Sequence, residues 1–141
     1  MKRILVIDAQ GGGIGKQLIT EIRKRALKAQ IIAVGTNSTA SAQMLRAGAD
    51  HAATGENPVI VNCREADVIL GPIGIILADA MFGEITPRIA AAVGQSRASK
   101  ILIPMNSCGA FVAGVTEQGI RAYIEEAAGR LEEILTKEDP Q

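Results

Sequence analysis

Aromatic residues are almost missing from this sequence. Its 141 residues include no Trp, one Tyr and two Phe, so a folded core must be built from aliphatic side chains. Hydrophobic residues make up 48% of the chain and charged residues 21%, which excludes a disordered chain. The length suits one domain.

Net charge is also missing. Fifteen Lys and Arg residues balance fifteen Asp and Glu residues, so no overall field attracts the chain to nucleic acid or to an anionic membrane. Four basic residues, Arg23, Lys24, Arg25 and Lys28, cluster where the first predicted helix ends, and cations there complement the helix dipole. We therefore expect neither nucleic acid nor membrane as a partner.

Histidine and cysteine are too scarce for a metal site. His51 is the single histidine, and Cys63 and Cys108 form no C-x-x-C pair, so neither a zinc knuckle nor a redox pair is indicated. Only four apolar residues precede Asp8, too few for a signal peptide. The longest uncharged apolar run, residues 68–78, is too short to cross a bilayer. We expect a cytoplasmic protein.

Short aliphatic runs alternate with helical patterns along the chain. This alternation predicts a parallel sheet with helices on both faces, and right-handed crossovers favour a doubly wound arrangement. We predict one Rossmann-like three-layer αβα domain over residues 1–136, with strand order 3-2-1-4-5, and a polar tail over 137–141. The predicted strands are 4–7, 30–34, 49–55, 67–70 and 100–104, with 111–115 compatible with a sixth. The predicted helices are 14–27, 38–47, 59–65 and 88–96, and a long final helix follows Thr116 with its apolar spacing over 120–135. Residues 73–82 fit a helical or partly irregular crossover.

Capping residues mark the ends of these helices. Short polar side chains accept hydrogen bonds from the first helical N–H groups, and Pro suits the first helical position. A glycine just past the last turn is typical of a helix end. The predicted caps are Asn37 or Ser38 for the second helix with Gly48 at its end, Asn57 for the third, Thr86 for the fourth and Thr116 for the last.

The stretch that organises the chain is KRILVIDAQGGGIGKQL, residues 2–18. An aliphatic strand closes at Asp8, a glycine turn follows, and a helix begins at once. Strand, glycine turn and helix form the layout of a phosphate-binding βα unit, in which backbone N–H groups and the helix dipole face an anion. Asp8 either binds ligand or braces the turn. The predicted phosphate site comprises Gly11, Gly12, Gly13, Ile14 and Gly15, with Gly13 as the position where a branched side chain would intrude on the phosphate.

Two other interpretations of this turn stay open. The spacing Gly11-x-Gly13-x-Gly15 is one residue tighter than G-x-G-x-x-G, so the glycines could be a structural turn alone. A P-loop is the weakest alternative: Gly15-Lys16 fits its end, but Gln10 replaces the first glycine and Gln17 replaces the magnesium-binding hydroxyl.

The end of the second predicted strand bears on the choice of cofactor. A dinucleotide fold that prefers NAD usually has an acid there, which binds the ribose hydroxyls. The residues here are Thr36, Asn37 and Ser38, with no carboxylate to repel a 2′-phosphate. The sequence therefore slightly favours NADP over NAD; the alternative is that Asn37 and Ser38 only cap a helix.

Other candidate site residues follow from the topology. Ligands of such sheets bind beyond the carboxyl ends of the strands, which adds Thr54, Gly71, Pro72 and Asn106 to the cofactor-binding candidates. Cys108 is the one candidate nucleophile, but no nearby histidine supplies a base. Asp79 and Glu84 have no assigned role.

Several segments resemble known families. IDAQGGGIGKQL resembles the first βα turn of dinucleotide-binding domains, and MLRAGAD resembles the segment before the third strand of many NAD(P)-dependent dehydrogenases. ATGENPVIVNCREADVIL resembles the nucleotide-sensing domains that regulate potassium uptake. Nearly the whole chain, including GADHAATGENPVIVN, DVILGPIGIILADAMFGEITP and KILIPMN, is similar to a bacterial family of short proteins, domain of unknown function 3842. That resemblance implies a Rossmann-like fold and nucleotide binding, and it assigns no activity.

The sequence thus predicts a small sensing or regulatory module that binds a phosphorylated nucleotide, NADP or NAD, with ATP as the alternative. The second hypothesis is a small NAD(P)-dependent oxidoreductase with Cys108, Asn106 or Asp79 near the reacting atoms. The third is a degenerate P-loop ATP-binding protein. The mean hydropathy of +0.20 is high for a small chain, so we also expect a homodimer or higher homo-oligomer. The final helix and residues 73–82 are the predicted contact surfaces.

Overall fold

The computed structural model describes residues 1–104 and 109–137. Its centre is a five-stranded sheet in which every neighbouring pair of strands is parallel. The order β3-β2-β1-β4-β5 confirms the predicted order 3-2-1-4-5. The strands are β1 Arg3–Asp8, β2 Gln30–Gly35, β3 His51–Thr54, β4 Val68–Pro72 and β5 Ser99–Ile103.

Helices cover both faces of this sheet and complete the three layers. The helices are α1 Gly13–Lys24, α2 Ser38–Ala47, α3 Glu56–Cys63, α4 Pro87–Gln95 and α5 Ile120–Thr136. Apolar side chains of α1, α2 and α5 bury one face of the sheet, and those of α3 and α4 bury the other. A 3₁₀ turn, Ile73–Ile76, leads from β4 into an irregular segment, as the pattern over 73–82 predicted.

Strand β1 shows why a continuous apolar run predicts a central strand. Ile4 and Val6 pack into the core beneath α1, whereas Leu5 and Ile7 pack into the core of the opposite face. All four side chains are essentially inaccessible to solvent. Burying each stabilises the fold by about 1.5–3 kcal/mol, and a strand covered on both faces has no room for the polar alternation of an exposed sheet.

Three predicted caps are confirmed. The Asn37 side chain accepts a hydrogen bond from the Ala40 N–H at the start of α2, and the Thr86 hydroxyl accepts one from the Ile89 N–H at the start of α4. Gly48 ends α2 with a φ of 122°, a backbone angle that residues other than glycine rarely adopt.

Other boundaries differ from the prediction. Helix α1 ends at Lys24, since Ala26 turns into the left-handed region with φ 54°. Helix α3 begins at Glu56 after Gly55, so the prediction of Asn57 as its cap is wrong. The N-cap of α5 is Gly119, not Thr116. Residues 111–115 form no strand, because every residue from 111 to 119 is exposed and offers no apolar face to the sheet.

A buried carboxylate joins the first helix to the last. Glu21 on α1 accepts hydrogen bonds from Arg25 Nε and from Arg121 Nη2 on α5, each at 2.8 Å. The hydrogen bond from Arg25, together with the charge of Arg121, holds the pKa of Glu21 below its usual value although burial opposes this.

Of the helices in residues 1–104 and 109–137, none combines the length and apolar character needed to cross a membrane.

Candidate functional site

The strand order reverses beside β1, where the chain passes first to β2 on one side and later to β4 on the other. In doubly wound sheets this reversal leaves a crevice beyond the carboxyl ends of the strands, and ligands bind there. The turn after β1 and the turn after β4 flank this crevice. The predicted glycine turn therefore lies at the position where the topology favours a ligand.

Asp8 braces this turn from within. Its buried carboxylate accepts hydrogen bonds from the Ala9 N–H at 2.8 Å and from the Gly15 N–H at 2.7 Å. Burial raises the pKa of Asp8, and the N–H groups of Gly15, Ala9 and Ile14 oppose this effect. Of the two roles considered for Asp8, bracing is the one that the geometry displays.

This arrangement changes which backbone groups can face a ligand. The Gly15 N–H donates to Asp8, and the Gly12 N–H donates to the Ala9 carbonyl at 3.0 Å, so both are used inside the chain. Gly11 and Gly13 are exposed, and an added Cβ at either would have no atom within 4 Å. Gly11 and Gly13 are the positions of the turn that stay open to an anion.

The remaining glycines of the turn are structural. Gly12 has φ +74°, and a Cβ there would lie 2.8 Å from the Ala40 Cα. A Cβ on Gly15 would collide with the Met44 sulfur, so Gly15 allows α1 and α2 to approach each other. The φ of Gly13 lies outside the left-handed region. A substitution at Gly13 would therefore not strain the turn, and the predicted effect of a branched side chain there rests on steric exclusion of a ligand.

A carboxylate from a distant part of the chain occupies the second loop of the site. One oxygen of Glu84, Oε1, accepts hydrogen bonds from the Gln10 N–H at 2.9 Å, the Thr36 hydroxyl at 2.6 Å and the Asn37 side-chain amide at 2.8 Å. The premise that no carboxylate lies at the end of the second strand is therefore wrong. Glu84 is 48 residues from Thr36, and no local pattern could have revealed this contact.

Glu84 carries its charge in this setting. Partial burial acts to raise its pKa, but the hydrogen bonds from Thr36, Gln10 and Asn37 together outweigh burial and lower it. Asn37 serves two purposes at once, since its Oδ1 caps α2 while its Nδ2 donates to Glu84 and to the Gln10 carbonyl. The two interpretations of Asn37, cap and site residue, are thus compatible.

The other candidates predicted from the sequence lie near the carboxyl ends of the strands, and their contacts differ. Thr54 shares a 2.6 Å hydrogen bond with the Ser41 hydroxyl at the end of β3. A Cβ on Gly71 would overlap the Ile7 carbonyl oxygen, so Gly71 lets β4 lie close to β1. Pro72 is buried at the end of β4, whereas Ser38 is exposed at the start of α2. Asn106 lies outside the described residues.

The candidate reactive groups that lie within the described residues do not form one centre. Burial raises the pKa of the Cys63 thiol to about 11, which keeps it protonated and unreactive, and Cys108 lies outside the described residues. Asp79 is exposed, and its N–H donates to the Ile85 carbonyl at 2.7 Å. Within residues 1–104 and 109–137, no three His, Cys, Asp or Glu side chains are grouped to hold a metal ion.

Comparisons with known proteins agree with this architecture. The family model described as Domain of unknown function (DUF3842) matches residues 3–136. An FMN-dependent UbiX-like decarboxylase from Escherichia coli O157:H7, described as dodecameric, has a similar crystal structure with a TM-score of 0.51. The two chains are 15% identical over 100% of this chain and 98% of that one, so the likeness concerns the fold. No curated protein sequence gives a significant match.

Proposed function

Because the chain belongs to the DUF3842 family, whose function is not defined, we propose from its geometry that it binds a phosphorylated nucleotide as a small sensing or regulatory module. The observation that carries this proposal is the open face at Gly11 and Gly13 beside the switch point of the sheet. The polar group formed by Thr36, Asn37 and Glu84 lies next to it. Phosphates would face the turn, and the sugar would face this polar group.

The electrostatics of the turn are compatible with an anion. The start of α1 carries the positive end of the helix dipole, worth about 0.3–1 kcal/mol to a nearby negative charge. Lys16 is exposed in the first turn of the same helix and can reach outward to a phosphate. The Asp8 carboxylate is buried beneath the turn, and the Ala9 and Gly15 N–H groups that donate to it partly offset its charge.

The choice among nucleotides is a second part of the proposal. NAD or NADP follows from the resemblance of the first βα turn, and ATP is the alternative. FMN enters as a further candidate because the structurally similar decarboxylase is described as FMN-dependent. An oxidoreductase is the secondary proposal. It depends on Asn106 and Cys108, and both lie outside the described residues.

Calorimetric titration of the purified chain, stripped of any bound ligand, with NAD, NADP, ATP and FMN tests the proposal. We expect at least one to bind with Kd below about 1 mM, which corresponds to roughly −4 kcal/mol. Cofactor turnover with a panel of metabolites, measured on the same sample, separates a module from an oxidoreductase. If all four compounds fail to bind at 1 mM, the turn is structural and the proposed function is wrong.

We also propose that the chain forms a homo-oligomer. Phe111 is 88% exposed, and it lines one cavity with the exposed Val112, Val115 and Ile120, where the chain enters α5. Phe82, in the 73–82 segment, is fully exposed. Isolated monomers rarely leave so much contiguous apolar surface in water. The similar decarboxylase is described as dodecameric. Compared with the sequence prediction, the contact surface shifts from α5 itself to the segment before it, because the apolar face of α5 is buried in its own core.

Light scattering after size exclusion, at micromolar concentration, should give at least a dimer. The double substitution Phe111→Ser with Val115→Ser should shift the molar mass toward the monomer, since it removes apolar surface without touching the core. Val61→Ser is the matched control, because Val61 is 42% exposed on α3 and lies outside that segment. A wild-type monomer would refute the assembly.

A further inference from the structure

The hydrogen bonds between Glu84 and the loops after β1 and β2 place its carboxylate where it can contact a ligand, as well as holding the loops together. Three donors from two different loops converge on one oxygen, Oε1. The other oxygen, Oε2, accepts no hydrogen bond from the described part of the chain. The carboxylate is therefore fixed in place through Oε1, and among residues 1–104 and 109–137 no donor occupies Oε2.

The backbone around Glu84 is held in an unusual shape. Asp79, Met81 and Phe82 all have φ between 57° and 66°, a region that costs non-glycine residues about 1–3 kcal/mol each. Such strain persists only where surrounding contacts fix the conformation. Here the Asp79 N–H donates to the Ile85 carbonyl at 2.7 Å, and Ile85 is fully buried. Glu84 thus projects from a segment that is anchored on its carboxyl side.

The position of this carboxylate matches a known requirement of nucleotide sites. In dinucleotide folds, an acid near the end of the second strand accepts hydrogen bonds from the ribose hydroxyls and disfavours a 2′-phosphate. Thr36, directly after β2, holds Glu84 at that point. The chain thus supplies from a later segment the acid that its own second strand lacks.

We propose that Glu84 is the residue that selects the sugar: the site takes a nucleotide whose ribose hydroxyls are free and rejects one that carries a 2′-phosphate. This rests on the proposed function, since it assigns the sugar position of the same site. It reverses the sequence-based preference for NADP, whose premise was the lack of a carboxylate. A 2′-phosphate would place two negative charges against the ionised Glu84, whereas a hydroxyl would donate to its free oxygen.

NAD and NADP are the matched probes, because they differ only in the 2′-phosphate. We expect the wild-type chain to bind NAD at least tenfold more tightly than NADP in calorimetry at low salt. Glu84→Gln removes the charge and keeps the shape, so it should weaken NAD and strengthen NADP until the ratio falls below about threefold. Raising the salt concentration should narrow the wild-type ratio, since it screens the repulsion.

Two further variants separate selection from folding. Glu84→Asp keeps the charge on a shorter side chain, and it should still discriminate against NADP while binding NAD less tightly. Glu132→Gln makes the same change as Glu84→Gln on the exposed face of α5, and it should leave both affinities unchanged. Circular dichroism and thermal melting of each variant show whether the fold is retained.

The outcomes distinguish a failure of the Glu84 assignment from a failure of the proposed nucleotide binding. If none of NAD, NADP, ATP and FMN binds, the proposed function fails, and the assignment of Glu84 fails with it. If a nucleotide binds but the wild-type chain accepts NADP as well as NAD, only the assignment of Glu84 is overturned. An unchanged ratio in a folded Glu84→Gln variant overturns it as well.

Discussion

Replacing Gly71 by Ala should destabilise the chain by about 3 kcal/mol, within the upper range for overpacked cores. Gly71 is buried in β4, and a Cβ there would overlap the carbonyl oxygen of Ile7 in the neighbouring strand β1. Backbone cannot rotate away as a side chain can, so relief requires β1 and β4 to separate at the centre of the sheet. Urea unfolding monitored by circular dichroism measures the loss.

Gly94→Ala is the matched control for this experiment. Gly94 is exposed near the end of α4, and an added Cβ there has no atom within 4 Å. Ala is favoured over Gly in helices by about 0.5–1 kcal/mol, so this variant should be unchanged or slightly more stable. A Gly71→Ala variant as stable as Gly94→Ala would show that β1 and β4 are not packed as closely as the structure indicates.

The fold was largely predictable because its signals are local. The β1 and β4 runs are apolar on both faces, and parallel strands joined by helices leave few possible strand orders. Caps such as Asn37 and Thr86 depend on neighbours three residues away, which a sequence displays directly. The suggested sixth strand failed at residues 111–115, where an apolar run resembles a strand but every residue is exposed and none pairs with the sheet.

The candidate site was only half predictable, because half of it depends on distant contacts. The glycine turn follows from the order strand, turn and helix. The acceptors of the Gly15 and Gly12 N–H groups, however, are the Asp8 carboxylate and the Ala9 carbonyl, and these contacts depend on how the turn folds. Glu84 reaches Thr36 only after the segment following β4 bends back over the sheet edge. The sequence correctly shows that the loop after the second strand has no acid of its own, but it does not show that Glu84 reaches this loop.

Gly13→Val should weaken nucleotide binding at least tenfold while leaving the fold intact. Gly13 is exposed, its φ is outside the left-handed region, and a Cβ there meets no atom within 4 Å, so the change in stability should stay within about 0.5 kcal/mol. A branched side chain at the first residue of α1 would fill the space that a phosphate needs to reach the Gly11 and Gly13 N–H groups. We expect the affinity to fall at least tenfold, about 1.4 kcal/mol, in calorimetry with whichever nucleotide the wild-type chain binds.

Gly119→Val provides the control that makes this result specific. Gly119 is the N-cap of α5, one position earlier in its helix than Gly13 is in α1, and an added Cβ there likewise has no atom within 4 Å, so the same chemical change is made at another helix start. Its affinity should equal that of the wild-type chain. Because an added Cβ at Gly13 meets no atom within 4 Å and its φ is not left-handed, a loss confined to Gly13→Val indicates exclusion of the ligand. Undiminished binding by Gly13→Val would move the phosphates away from this turn and leave its glycines with a structural role alone.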